Sequence, residues 1–444
     1  MGLLLGDTGD TMRSENVYTK QQRIAELAKQ MPEVSFTSLA YHIDLEWLQE
    51  AYRRTRKDGA AGVDEVTAEQ YEEDLDNNLG SLLNRFKSGS YYAPPVKRVY
   101  IPKGAGGKPE RPIGIPTLED KVLQRAVVML LSPVYEQDFL ECSYGFREGC
   151  SAQQALEALW HAIMEMGGKC WVYEVDIKSY FDTIKHGYLR EFYQKRVRDG
   201  VIKRVMGKWL KAGIMEDGAV RYPSEGTPQG GVVSPLLSNI YLHEVLDVWF
   251  EQQVRPRLKG RAQLIRFADD FVIVFSREQD AHRVREVLPK RFGRYGLTIQ
   301  EEKSRLVDFG RPSGKSRRPE GFDFLGFTHF WGKSRKGNWV VQRKTCGKKL
   351  AQAVRRVHQW CKHNRHKPVK EQWQQLSRKV YGHYGYYGVT FNMRGIKGYY
   401  EQVKRSWRKW LNRRSRDKHM PWERFNRLLE RYPLPQPRIV HKYS

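Results

Sequence analysis

Arg266-Phe267-Ala268-Asp269-Asp270-Phe271, together with Val175-Asp176-Ile177-Lys178-Ser179-Tyr180-Phe181-Asp182 upstream, decides the reading of this chain. Both stretches set carboxylates into apolar, strand-forming sequence. The first is preceded by Leu264-Ile265 and followed by Val272-Ile273-Val274-Phe275, so it reads as a buried strand that the Asp pair interrupts. Alone, an Asp-Asp pair reads as a hairpin turn, where Asp is favoured and solvated. The second carboxylate strand shifts that balance. An ionised carboxylate at the edge of an apolar sheet is costly unless a cation compensates it. A divalent metal is the natural cation. Mg²⁺ takes one or two carboxylates and leaves room for substrate phosphates. Two such ions can hold the attacking and departing oxygens of a phosphoryl transfer.

Between the two stretches runs Gly226-Thr227-Pro228-Gln229-Gly230-Gly231-Val232-Val233-Ser234-Pro235. Its glycines let backbone approach a ligand closely. Ser234 and Pro235 form a good N-cap and first-turn pair, predicting a helix that runs toward Trp249. A plain loop–helix junction accounts for the glycines and Pro235, but not for Gln229 set between Pro and two glycines. Asp182 reads as the cap of a helix starting at Thr183 and not as a metal ligand.

The 444 residues are enough for two or three domains with a sizeable core. No apolar run is long enough for a membrane span, and the start lacks the pattern of a signal peptide. Five cysteines without paired spacing point to a reducing compartment. The net charge is +26, and its location is informative. Residues 331–444 hold 30 Lys and Arg against 5 Asp and Glu, a net of +25, which leaves 47 against 46 for residues 1–330. One-sided positive charge on a folded segment is the footprint of a phosphate backbone. The same segment is rich in Trp and Tyr, some for its core and others suited to stacking on bases.

Along the chain, residues 1–16 read as disordered and a helical pattern begins near Thr19. Helical patterns recur over 44–57, 68–87 and 118–139, with a Pro-punctuated β-rich region over 91–116. From Lys348 onward the pattern is helical, broken at Tyr381-Gly382-His383-Tyr384-Gly385. His358, Cys361, His363 and His366 match no usual structural zinc spacing and read as a basic helical surface.

With these segments the chain resembles the reverse transcriptases, specifically group II intron-encoded reverse transcriptase/maturases of the type without an endonuclease domain. Further matches carry the resemblance over nearly the whole chain. They are Lys57-Asp58-Gly59-Ala60-Ala61-Gly62-Val63-Asp64, Tyr100-Ile101-Pro102-Lys103, Arg111-Pro112-Ile113-Gly114-Ile115-Pro116, Ser143-Tyr144-Gly145-Phe146-Arg147, Glu302-Lys303-Ser304 and Phe322-Asp323-Phe324-Leu325-Gly326-Phe327. One departure is Phe267, where the family usually has Tyr.

The resemblance implies an α+β right-hand polymerase with fingers, a palm of antiparallel sheet and helices, and an α-helical thumb. Its expected divisions are an N-terminal extension over 1–60, fingers and palm over 61–335, and a thumb or maturase-specific RNA-binding domain over 345–444. The implied activity is RNA-directed DNA polymerisation by two-metal nucleotidyl transfer, with binding of group II intron RNA in splicing and retrohoming. The alternatives are an intron-independent reverse transcriptase in host defence and a non-enzymatic splicing cofactor. Asp176, Asp269 and Asp270 are the expected catalytic residues, and with the Ile177 carbonyl they would hold two Mg²⁺ ions, for which Mn²⁺ can substitute. Lys103, Arg111, Phe181, Gln229 and Lys303 are expected at the incoming nucleotide, Phe181 as a gate against a 2′-hydroxyl and Lys303 as proton donor to pyrophosphate. Phe324, Leu325 and Gly326 would support the primer end. The implied partners are an RNA template and DNA primer, deoxynucleoside triphosphates, intron RNA and target DNA, with no membrane. The implied setting is the bacterial cytoplasm, at the nucleoid when bound to DNA.

Overall fold

A computed structural model describes residues 8–102, 110–216, 218–222, 225–227, 230–313, 319–414 and 419–442. The N-terminal part is helical: α1 (Thr8–Gln30), α2 (Leu45–Arg54), α3 (Ala68–Glu72) and α4 (Leu75–Ser88). A hairpin follows, β1 (Val96–Pro102) and β2 (Glu110–Ile115), then α5 (Leu118–Tyr135) and α6 (Ala152–Glu165). Next come β3 (Trp171–Val175), α7 (Tyr180–Thr183), α8 (His186–Gln194), α9 (Gly200–Leu210), β4 (Ile214–Glu216), β5 (Ala219–Arg221) and α10 (Ser234–Leu242). The centre of the chain is completed by β6 (Ala262–Phe267), β7 (Asp270–Phe275), α11 (Glu278–Arg294) and β8 (Arg305–Asp308). The C-terminal part holds β9 (Phe322–Phe324), β10 (Phe327–Lys333), β11 (Trp339–Thr345), α12 (Gly347–His363), α13 (Val369–Tyr387), α14 (Met393–Asn412) and α15 (Trp422–Arg431).

The central sheet has the order β6-β7-β3-β8, every pair antiparallel. Its apolar runs are buried on both faces, which explains their near-continuous hydrophobicity. Leu264, Phe271, Ile273 and Phe275 face one core, shared with α5, α10 and α11. The alternate residues Ile265, Val272 and Val274 face a second core, shared with α6, β9, β10 and β11. The period-two alternation of a strand thus divides one sequence run between two cores. A smaller sheet, β2-β1-β4-β5, flanks the centre, and a third, β11-β10-β9, leads into a helical bundle with its own core around Trp407 and Tyr384. Among the described residues no helix is long and apolar enough to cross a membrane.

Four local expectations change. The first helix starts at Thr8 rather than near Thr19, because Val17, Ile24 and Ala28 dock into the core and Gln21 donates to the Met129 carbonyl of α5. Tertiary docking here orders a stretch whose own pattern is weak. Asp182 does not cap a helix starting at Thr183; it sits in the short first turn of α7, and its N–H donates to the Ser179 carbonyl. Ser234 is the first residue of α10 rather than its cap, with Val233 before it already helical. The glycines at 382 and 385 do not break a helix: α13 runs straight through them, and the breaks fall before Val369 and after Tyr387. Packing of Leu376, Val380, His383 and Tyr384 outweighs the modest cost of mid-helix glycine, about 1 kcal/mol each.

Candidate active site

Strand register assembles the site. Val175 pairs with Phe271, and Phe267 pairs with Asp270. Asp176 follows Val175 by one step, so the antiparallel run places it at the same sheet end as Asp270 and the turn. Ala268 and Asp269 form that two-residue turn, with Ala268 in the left-handed region at φ 57°. Asp176 and Asp269 are half-buried and Asp270 is exposed. The hairpin-turn reading of the Asp pair therefore describes its backbone: Asp269 lies in the turn and Asp270 opens β7.

The turn is held from beneath by residues to which the sequence reading assigns no role of their own. Arg266 is fully buried and forms a two-point ion pair with Asp247, at 2.8 and 2.5 Å. It also donates to Asn239 Oδ1 at 3.0 Å and to the Ala268 carbonyl at 3.1 Å. Asn239 in turn donates to the Gly145 carbonyl at 2.7 Å. Burial alone would pull the Arg266 pKa down, and the adjoining Asp247 carboxylate more than offsets this and raises it. Gly145 passes so close that a Cβ there would lie 2.2 Å from the Ala268 nitrogen, which explains its glycine. The signal for this scaffold was an Arg inside an otherwise apolar strand, since a fully buried cation demands a partner. Asp247 reaches it from a wide, π-type turn over His243–Asp247, a geometry often found beside functional sites.

On the other side of β3, Ile177 bridges to Ile299, with hydrogen bonds from Lys178 to the Thr298 carbonyl and from Gln300 to the Asp176 carbonyl. In such a pair the bridging residue's own carbonyl turns away from its partner strand. The Ile177 carbonyl is accordingly free of this pairing. Ser304 Oγ accepts from the Asp176 N–H at 3.0 Å, and Lys303 Nζ lies 3.6 Å from Asp176 Oδ2.

The Gly-rich loop packs against the same end of the sheet. Gly226 (φ 88°) lies so close to the Phe181 and Asp182 backbones that a Cβ would come within 3.0 Å, and the Thr227 N–H donates to the Phe181 carbonyl. Gly230 (φ 116°) lies against β2, where a Cβ would meet the Gly114 carbonyl at 2.4 Å. Phe181 is half-buried, edge-on to Tyr180. Behind the loop, Gln124 accepts from the Val233 N–H and donates to buried Asp120, which also accepts from Tyr91 and Trp209. Burial raises the Asp120 pKa to about 6, against the pull of those donors. Lys103 and Gln229 lie outside the described residues. Of Arg111 the backbone is described, paired with Ile101 across the β1–β2 hairpin.

Leu325 (φ 47°) and Gly326 (φ 78°) form the tight turn between β9 and β10, a two-residue connection with both residues left-handed. Tyr386 donates to the Leu325 carbonyl and Cys346 to the Gly326 carbonyl, which ties the turn to the helical bundle. Between that bundle and the β1–β2 hairpin opens a cleft of about 820 Å³. Lys349, Arg356 and Lys379 line it beside Ile101, Ile113 and Tyr387, with no acidic residue among the described lining. His383 on its wall stacks on Tyr399 at 3.6 Å, and burial lowers its pKa to about 4, so it stays neutral at physiological pH.

A match to the family described as reverse transcriptase (RNA-dependent DNA polymerase) covers residues 101–329, just over half of the chain. The chain belongs to the reverse transcriptase family. Protein YkfC of Escherichia coli K12 is 41% identical over 225 residues, 49% of this chain and 57% of that protein. Group II intron-encoded protein LtrA of Lactococcus lactis subsp. cremoris is 35% identical over 246 residues, 55% of this chain and 39% of LtrA. Putative COX1/OXI3 intron 1 protein of Saccharomyces cerevisiae is 28% identical over 277 residues, 52% of this chain and 32% of that protein. The chain thus spans about half or less of the length of these relatives. The matched residues of the reverse transcriptase family include both carboxylate segments, the Gly-rich loop and the 324–326 turn. The likeness to intron-encoded proteins agrees with the resemblance read from the motifs.

Proposed function

We propose that this chain is an RNA-directed DNA polymerase that also binds group II intron RNA in splicing and retrohoming. One observation carries the reading: strand register brings Asp176, Asp269 and Asp270 to one sheet end, in a member of the reverse transcriptase family. The sheet core acts as palm, the β1–β2 sheet and preceding helices as fingers, and residues 345–444 as thumb, with 1–60 an N-terminal extension.

The donor set fits Mg²⁺. Carboxylate and carbonyl oxygens are the hard donors Mg²⁺ takes, with waters and substrate phosphates completing its octahedral shell. Asp176, Asp269, Asp270 and the Ile177 carbonyl would hold the two ions. When bound, such ions lower the pKa of the primer 3′-hydroxyl and neutralise charge on the triphosphate. Lys303, 3.6 Å from Asp176 Oδ2, would protonate the leaving pyrophosphate. Phe181 would stand under the incoming sugar, Leu325 and Gly326 would support the primer terminus, and Lys103, Arg111 and Gln229 would complete the nucleotide site. The cationic cleft takes the template–primer backbone, and the strongly basic C-terminal segment takes intron RNA. Action in the cytoplasm, at the nucleoid for DNA targets, follows from these partners.

The test is Mg²⁺-dependent extension of a primer on an RNA template. Asp269→Asn is expected to abolish extension while RNA binding stays within about twofold, because the basic surfaces are untouched. Normal extension by this variant would overturn the assignment.

A further inference from the structure

We propose that the outer face of α9 is a second nucleic-acid site, one that holds a splayed nucleotide of single-stranded RNA apart from the polymerisation cleft. The proposal rests on the reading of the chain as an RNA-binding polymerase and adds a place where RNA is gripped. A cavity of about 660 Å³ lies between α9, α8, the 92–93 segment and Tyr222. That is within the roughly 300–1,000 Å³ of small-molecule sites. Arg190, Lys203, Arg204, Lys208 and Lys211 line it, and none of its described lining residues is acidic. Residues 1–330 are nearly neutral in sum, so this is a local concentration that the overall charge conceals. The neighbouring ion pairs, Lys185–Glu225 and Lys195–Glu244, engage other lysines. Lys208 is anchored on the Gly89 and Tyr91 carbonyls, which fixes one cation in place.

Helical spacing gathers the rest. Positions 200, 203, 204, 207, 208 and 211 fall on one face of α9, while Ile202, Val205, Met206, Trp209 and Leu210 fill the core on the other. Trp209 on that inner face reaches Asp120 behind the Gly-rich loop, so the cavity opens on the side of the helix away from it. Two aromatic side chains stand at the cavity and are largely exposed, Tyr92 at 66% and Tyr222 at 69%. Cations for phosphates beside exposed aromatic faces for bases are the components of single-strand recognition, and RNA is read mainly through its unstacked bases.

Gly207 shapes the floor of the cavity. It sits in mid-helix, lines the cavity, and a Cβ added there would meet nothing within 4 Å. Glycine in a helix interior is destabilising relative to alanine, and no contact within the chain requires it here. The missing side chain leaves the cavity floor open, with room for a base or ribose against the helix backbone.

The test uses the full chain with its cleft saturated by unlabelled RNA–DNA hybrid, and a fluorescent unstructured RNA oligonucleotide as probe. Lys203→Glu combined with Arg204→Glu should weaken the remaining binding about tenfold and flatten the log–log salt slope by about two. Gly207→Ala should raise the melting temperature yet weaken binding, whereas a purely structural glycine would not couple the two. Extension of a pre-annealed primer, measured alongside, should be unchanged in both variants, and its failure in the unmodified protein would instead indict the polymerase reading. Unchanged affinity and slope in the double variant would overturn the site. Unchanged binding by Gly207→Ala would overturn the open floor, and equal affinity for DNA of the same sequence would overturn the assignment to RNA.

Discussion

Replacing Arg266 with methionine tests how the catalytic turn is held. Arg266 and Asp247 are both fully buried, and their ion pair is joined at two points. Removing the guanidinium strands the Asp247 carboxylate in the core, a loss worth roughly 3–5 kcal/mol. The acceptors on Asn239 and Ala268 lose their donor as well. Against a typical total stability of about 5–15 kcal/mol, this is a large fraction. Arg266→Met should therefore unfold at markedly lower urea concentration. Adding Asp247→Leu removes the stranded charge, and replacing both members of a buried pair by apolar groups is often near neutral. The double variant should recover most of the stability. It should not recover activity, because the guanidinium that holds the Ala268 carbonyl is gone, and displacement of reacting groups by about 1 Å can cost about a hundredfold. Urea unfolding and primer extension on the two variants separate the effects. A double variant that extends primers at the unmodified rate would refute the claim that this pair positions Asp269 and Asp270.

Asp120 carries a pH signature. Its pKa is raised by burial to about 6, so the folded state keeps a proton that the unfolded chain, near 4, has released. Its contribution is most favourable below about pH 4 and declines through pH 6, by roughly 3 kcal/mol in all. Asp120→Asn should flatten the dependence of unfolding midpoint on pH across that window, and an unchanged slope would refute the assignment. Phe181→Val should raise ribonucleotide incorporation relative to deoxyribonucleotide in a competition assay; a lowered melting temperature with unchanged sugar selectivity would make it a packing residue alone. Lys349→Glu with Arg356→Glu should flatten the salt dependence of template–primer binding by about two log units per log unit of salt, measured by fluorescence titration, if both meet phosphates.

The local chemistry was legible in the chain itself. The β-branched and aromatic runs around the carboxylates announced strands, which the structure forms, and the one-sided charge of residues 331–444 is a property of the sequence alone. These signals are local because period-two hydrophobicity, turn chemistry and charge density need only neighbours in sequence. The expectation that Asp176 joins Asp269–Asp270 rested on resemblance, and nothing local in the chain specifies it. It is decided by the register of β3 against β7, a pairing of residues almost a hundred apart that the shared cores select. The same holds for Asp247 beneath Arg266 and for α13 continuing through Gly382 and Gly385. It holds too for the cation-lined face of α9, whose lysines are unremarkable in sequence until Tyr92 and Tyr222 fold beside them. Buried charges, mid-helix glycines and converging side chains take their meaning from partners distant in sequence, and only the folded chain brings those partners into contact.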